Sequence, residues 1–211
     1  MRGLYLVTDR DLCGKRPLEE VVRESVRGGA AFVQIREKDL STRAFIEEAC
    51  RIKALLAPFQ VPLIINDRVD VAQAVKADGV HVGQDDMPYE TARRLMGPKA
   101  LIGLSVETWE DVERAETLDV DYLGVSPVFE TPTKTDTKGS WGLGGLARIR
   151  ARSRHRLVAI GGLNLSNAGA VVRAGADAVA VVSAVCAAPD PFQATRDLCH
   201  AIEGALQERP S

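Results

Sequence analysis

Short β-branched runs and longer amphipathic stretches take turns along the whole chain, and this alternation restricts the fold more than any other feature. The apolar runs are LYLVT (4–8), AFVQIR (31–36), PLIIN (62–66), GVHVG (79–83), LIGLS (101–105), DYLGVS (121–126), RLVAIGG (156–162) and AVAVVS (178–183). Each has the length and composition of a strand. Between them stand helical patterns such as LEEVVRESVR and STRAFIEEACRIKALL, and PFQATRDLCHAIEGAL follows the last. Pro17 and Ser41 mark helix starts, while Gly28 and Gly175 follow the first and seventh helical stretches as stops. Strands apolar on both faces and separated by helices imply a parallel sheet covered by its own crossovers. Eight such units in 211 residues predict a single (β/α)8 TIM barrel over residues 1–211, with a doubly wound open sheet as the rival.

Charge and cysteine usage narrow the function classes. A formal charge of -2 offers no basic field, so no nucleic-acid partner is expected and any phosphate must be held locally. Cys13, Cys50, Cys186 and Cys199 show no CxxC spacing and read as reduced thiols, which suggests a cytoplasmic setting. MRGLYLVTDR has too few apolar residues before Asp9 for a signal peptide, and no uncharged apolar run approaches the roughly 18 residues of a membrane span. No membrane association is expected. The longest irregular stretch, ETPTKTDTKGSWG (130–142), is a loop of the kind that is functional or disordered in compact domains. A homo-oligomer is compatible with the helical faces of a barrel, and the sequence does not decide it.

In a barrel the chemistry gathers where strands end and the following loops begin. In FVQIREK, alternation puts Gln34, Arg36 and Lys38 on one face and Val33 and Ile35 on the other. Two cations pointed at the mouth of a barrel call for an anion, either a ligand or a carboxylate such as Glu37 in a salt-bridge network. PLIIN runs into Asn66 and Asp67, and GVHVG into Asp85 and Asp86. Carboxylates from adjacent strand ends can share one divalent cation with substrate phosphate, which is how magnesium is commonly held. Equally, Asp67 and Asp86 could each cap the helix that follows.

The later strands add a second set. Ser105 ends the fifth, where a helix cap is the plainer explanation. Thr131, Thr133 and Lys134 follow the sixth, and Gly161 and Gly162 end the seventh, with Val182 and Ser183 at the end of the eighth. Loops after the last two strands of such barrels often hold a phosphate on backbone N–H groups, although glycines there could simply relieve crowding at a turn. Of the histidines, His155 reads as solvated, His200 as lying on the last helix, and His81 as structural. No nucleophile and base stand together. The implied chemistry is electrostatic.

These segments also carry a resemblance. LYLVTDR, VQIREKD, INDRVDVA, GVHVGQDD, IGLSV, DYLGVSPVFETPTKT, VAIGGL and GADAVAVVSAV, in this order from Leu4 to about Ala205, resemble the thiamine phosphate synthase family. That family joins a hydroxymethylpyrimidine diphosphate to a thiazole phosphate and releases pyrophosphate. The resemblance implies that Gln34, Ile35, Arg36, Glu37, Lys38, Asn66, Ser105 and Lys134 hold the pyrimidine diphosphate. Asp67 and Asp86 would bind Mg2+, while Thr131, Pro132, Thr133, Gly162, Val182 and Ser183 would hold the thiazole phosphate. Arg36, Lys38, Ser105 and Lys134 are the catalytic candidates. The implied reaction is a dissociative displacement in which diphosphate leaves first and the thiazole nitrogen captures a pyrimidine-stabilised cation.

Two alternatives share the scaffold. A thiazole tautomerase branch needs no diphosphate chemistry, and a non-catalytic phosphate-binding regulator would have no use for Asp67, Asp86 and Lys134 together. The loop GVSPVFETPT departs from the many members that have Gly before the Pro and Pro in place of Glu130, which bears on local loop geometry alone.

Overall fold

The structure is a computed structural model that describes residues 1–131 and 139–209. Its strands are β1 (Gly3–Val7), β2 (Phe32–Ile35), β3 (Leu63–Asn66), β4 (Gly79–Val82), β5 (Leu101–Val106), β6 (Tyr122–Val125), β7 (Arg156–Ala159) and β8 (Ala178–Val181). They hydrogen-bond in chain order, and β1 closes the ring by pairing in parallel with β8, from Gly3 opposite Ala178 to Leu6 opposite Val181. The closed barrel is present and the open-sheet rival is excluded. Helices α1 (Leu18–Arg27), α2 (Thr42–Leu56), α3 (Val69–Val75), α4 (Tyr89–Met96), α5 (Trp109–Ala115), α6 (Gly142–Arg152) and α7 (Ala168–Arg173) alternate with the strands. A four-residue helix α8 (Ser183–Cys186), absent from the sequence-based expectation, precedes the long α9 (Pro191–Gln207). Among the described residues no helix is long and apolar enough to cross a membrane.

Local chemistry explains several boundaries. The Ser41 hydroxyl accepts from Ala44 N and starts α2, and Asp190 does the same for α9 through Gln193 N, with Pro191 opening its first turn. At α5, Thr108 and Asp111 exchange side-chain to backbone bonds in a capping box. Gly28 ends α1 for a different reason from the expected stop signal. Its φ of -75° is open to any residue, but a Cβ there would lie 2.7 Å from Phe192 O on α9. The adjacent Gly29, at φ +108°, makes the left-handed turn into β2.

Strand alternation divides the interior into two cores. Outward-facing residues such as Leu4, Leu6, Val33, Ile35, Leu63, Ile65 and Val80 pack under the helices. Inward-facing Tyr5, Val7, Ile64, Tyr122, Val158, Ala178 and Ala180 fill the bore. The inner core is made of mismatched sizes. Tyr122 on β6 fills the space left by Gly103, its register partner on β5, where a Cβ would come within 2.1 Å of the Tyr122 ring. Gly124 similarly leaves room for His81, whose Cε1 would lie 2.7 Å from a Cβ there. Large and small residues on facing strands interlock, and the bore is closed below its rim.

Overpacking that interlock forces the ring of Tyr122 or the strand to move. Gly103→Ala is expected to lower unfolding stability by about 1–3 kcal/mol. A urea titration checks this through a lowered midpoint at unchanged slope.

Candidate active site

A cavity of about 360 Å³ opens at the C-terminal rim of the barrel, and every strand contributes to its wall. This is the end that a parallel barrel presents to its β-to-α loops. Gln34, Arg36 and Lys38 all line it, as their shared strand face predicts. Ile35 and Glu37 do not. Ile35 is buried in the outer core, and the Glu37 carboxylate turns away to the Arg10 guanidinium.

Asp67 and Asp86 meet at this rim. Asp67 has a left-handed backbone, φ +60°, and its N–H donates to His81 O at 2.8 Å, so the carboxylate stands at the seam between β3 and β4. Lys38 Nζ lies 2.5 Å from Asp67 Oδ2. Asp86 Oδ2 accepts from Gly83 N at 2.7 Å. Neither aspartate caps a helix, because the N-cap positions of α3 and α4 are Arg68 and Pro88, neither with a side-chain cap. Burial, and then a direct contact with the Asp67 carboxyl, push the Asp86 carboxyl above the usual carboxylate range. The two carboxyls are therefore neighbours, with the Lys38 ammonium beside Asp67. Asn66 and Asp85 line the same wall.

Behind the β2 loop lies a charge cluster that the sequence pattern did not single out. Arg10, after β1, hydrogen-bonds to Glu37 Oε1 at 3.2 Å and to Glu48 Oε2 on α2. Glu48 is 2% exposed, and its Oε1 is a buried acceptor without a partner among the described residues. Burial and the neighbouring Glu48 raise the Glu37 carboxyl to about 7, against the pull of Arg10. One guanidinium thus ties the loop carrying Arg36 and Lys38 to both β1 and α2.

The floor of the cavity is polar. Gln34 Nε2 donates to the Tyr5 hydroxyl at 2.8 Å, and the Tyr5 and Tyr122 hydroxyls are 2.9 Å apart. Tyr122 Oη is 3.1 Å from His81 Nδ1, and His81 Nε2 is 2.9 Å from Ser105 Oγ. Ser105 is therefore no helix cap; Thr108 fills that role for α5.

The opposite wall is built from Gly161, Gly162, Val182 and Ser183, with Thr131 nearby. Both glycines have left-handed φ, and a Cβ would meet Pro127 Cβ at 2.5 Å from Gly161 and Glu130 O at 2.7 Å from Gly162. Glycine is required there by backbone packing against the loop after β6, whatever else the loop does. Ser183 begins α8, and the first N–H groups of a helix have no intrahelical acceptor. Pro132, Thr133 and Lys134 lie outside the described residues.

The histidines correct the sequence reading. His155 is not solvated: it is 6% exposed, and its ring nitrogens face Val120 O and Ala115 O at 3.1 and 3.0 Å. His81 lines the cavity, and so do Tyr5 and Tyr122. A period-two reading of GVHVG puts His81 on one face with Gly79 and Gly83, which is the signal that could have placed it in the bore. No comparable signal connects Tyr5 with Tyr122, 117 residues apart.

Comparison with known proteins points to one family for the chain. The family model described as thiamine monophosphate synthase matches residues 4–185. A thiamine-phosphate synthase from Albidiferax ferrireducens is 56% identical over 200 residues, covering 95% of this chain and 91% of that protein. A thiamine-phosphate synthase from Leptospira biflexa is 53% identical over 199 residues, covering 92% of this chain and 95% of its own. Among solved structures, a thiamine phosphate pyrophosphorylase from Pyrococcus furiosus superposes with a TM-score of 0.89 at 41% identity, covering 97% of this chain and 96% of that one.

The acidic cluster has a pH signature. Because the folded-state value of Glu37 is raised, its contribution to stability is complete below the ordinary glutamate range and is lost as pH rises through about 7. Wild-type protein should lose urea resistance between about pH 5 and about pH 8, and Glu37→Gln should flatten that decline. Parallel slopes in the two proteins would contradict the assignment.

Proposed function

The chain belongs to the thiamine monophosphate synthase family and acts as a thiamine-phosphate synthase, a transferase, and we propose that it does so with Mg2+ and the rim residues described above. The observation that carries this reading is the contact between the Asp67 and Asp86 carboxyls, on the same wall as Lys38 and Arg36 and across the cavity from Gly162 and Ser183. One side suits a metal diphosphate. The other suits a monophosphate.

The donor set fits magnesium. Asp67 and Asp86 would hold the ion, and two neighbouring carboxyls gain from a divalent cation. Among the described residues no group of three or more His, Cys, Asp or Glu side chains forms a metal cage, and a magnesium ion held by Asp67 and Asp86 would take its other ligands from water and substrate phosphate. Bound there, the ion supplies charge neutralisation to the departing diphosphate.

The protein residues divide the remaining work. Gln34, Asn66 and Ser105 hold the pyrimidine end of the first substrate, the hydroxymethylpyrimidine diphosphate. Arg36 and Lys38 neutralise the diphosphate as its bond to the pyrimidine methylene carbon breaks, and the loop residue Lys134 adds a third cation by family resemblance. Lys38, paired with Asp67 in this structure, would be free for phosphate oxygens once Asp67 held a cation. Ile35 and Glu37 contribute through the backbone and the Arg10 tie, not through side chains in the cavity. Gly162, Val182 and Ser183, with Thr131, Pro132 and Thr133, hold the thiazole phosphate so that its ring nitrogen faces the electron-poor carbon. That nitrogen already carries a lone pair. No general base is required.

Pyrophosphate release should require both substrates and Mg2+. Asp67→Ala and Lys134→Ala are each expected to lower kcat by about a hundredfold or more, the loss typical of a preorganised charge-stabilising group. Near-wild-type turnover in either variant contradicts the roles given. In thermal melts without substrate, Mg2+ should raise the Tm of wild type and leave that of Asp86→Asn unmoved.

A further inference from the structure

The end of β1 grips the segment that carries Arg36 and Lys38. Thr8 N donates to Gln34 O at 2.9 Å, and the buried Thr8 hydroxyl accepts from Arg36 N at 3.1 Å. The backbone is held on both sides of Ile35, and the freedom left beyond it is that of side chains. Arg36 and Lys38 line the cavity, while the Glu37 side chain between them is 6% exposed and turned away. It lies against the Glu48 carboxylate, and both share the Arg10 guanidinium. Arg10 itself is absent from the cavity wall. Its route to a bound ligand therefore runs through Glu37.

The charges there do not balance. Two carboxylates share one cation, and Glu48 is enclosed on α2, with Oε1 unpartnered among the described residues. Without Arg10 the two carboxylates would face each other across a desolvated contact, where repulsion is strongest. Glu48 is fixed by its burial, so Glu37, in the loop after β2, is the group that turns. The residues on either side of it in the chain are Arg36 and Lys38. A carboxylate tethered beside them competes with an anion from solution at high effective concentration. From sequence, Glu37 is one candidate partner for these cations; the structure gives it a different one.

We infer that Arg10 is a positioning residue: it sequesters the Glu37 carboxylate behind the loop and so keeps Arg36 and Lys38 available to an anionic ligand. This rests on the reading of those two cations as diphosphate contacts. Thr8 and Glu48 complete the device, the first by holding the backbone and the second by fixing the far side of the guanidinium.

A double-mutant cycle tests it, with Arg10→Gln, Glu37→Gln and the two combined, and thermal melts confirm folding. The readouts are kcat/KM for the pyrimidine diphosphate in pyrophosphate release and, independently of activity, calorimetric affinity for inorganic pyrophosphate with Mg2+. Both are taken at about pH 8.5, where a carboxyl raised to about 7 is ionised. Arg10→Gln should weaken both at least about tenfold when Glu37 is present, and no more than about threefold in the Glu37→Gln protein. KM for thiazole phosphate should stay unchanged throughout. Loss of a merely structural tie would cost the same in either background, and that equality, or an equal rise in KM for thiazole phosphate, overturns the inference. If Arg10→Gln does not fold because Glu48 is left unpaired, the same cycle is run in the Glu48→Gln background, with the same inequality expected. Arg36→Ala is the separate check on the diphosphate reading. If it binds pyrophosphate as wild type does, that reading fails and the inference with it; if it binds weakly and the two Arg10 costs are equal, the inference alone fails.

Discussion

Everything at the working end follows from the parallel hydrogen-bond ladder closing on itself. Because all strands run the same way and β1 pairs with β8, every strand delivers its last residues to one rim. A ladder without edges also pins the register, and a slip of one residue would exchange the bore for the helix-facing surface. The register brings Asn66 level with His81, and Ser105 level with Gly124. Side chains distant in sequence thereby meet without any loop having to reach for them.

The two cores then do different jobs. The outer one is aliphatic and lies between sheet and helices, where dispersion and burial hold the fold. The inner one gives up part of that apolar packing to tyrosine hydroxyls, an amide, an imidazole and a serine. Such groups are tolerable below a rim only when each finds a partner, which is the condition their mutual spacing meets. Near the rim the balance shifts again. Asp86 is held beside Asp67, and Glu37 beside Glu48, in arrangements unfavourable for a protein optimised for stability alone. The first suits a cation. The second is restrained by Arg10, behind the loop that carries Arg36 and Lys38.

How much of this was legible in the sequence depends on whether a local pattern carried it. The alternation of strand and helix is local, so the barrel and its strand positions were readable, and Ser41 announced its helix as expected. Alternation within FVQIREK correctly put Gln34, Arg36 and Lys38 in the cavity. The same rule applied to GVHVG would have placed His81 there too, had a mid-strand histidine not been read as structural. The charge state and surroundings of Glu37 were beyond reach, since they depend on Arg10 and Glu48, which arrive from other elements. His155 misled because ARSRHR looks like a solvated run, whereas two backbone carbonyls and the adjoining strand enclose the ring. Distances across the bore, such as that between Tyr5 and Tyr122, are properties of closure and have no local trace.

The seam between β1 and β8 has a temporal consequence. Strand β1 is synthesised long before its partner β8, so a nascent chain that lacks Ala178–Val181 has an unclosed ring. Until then the Tyr5 edge is open to other chains, a period in which unpaired strands are prone to aggregate. Synthesis therefore gives no complete pocket until β8 is made, and then delivers it all at once.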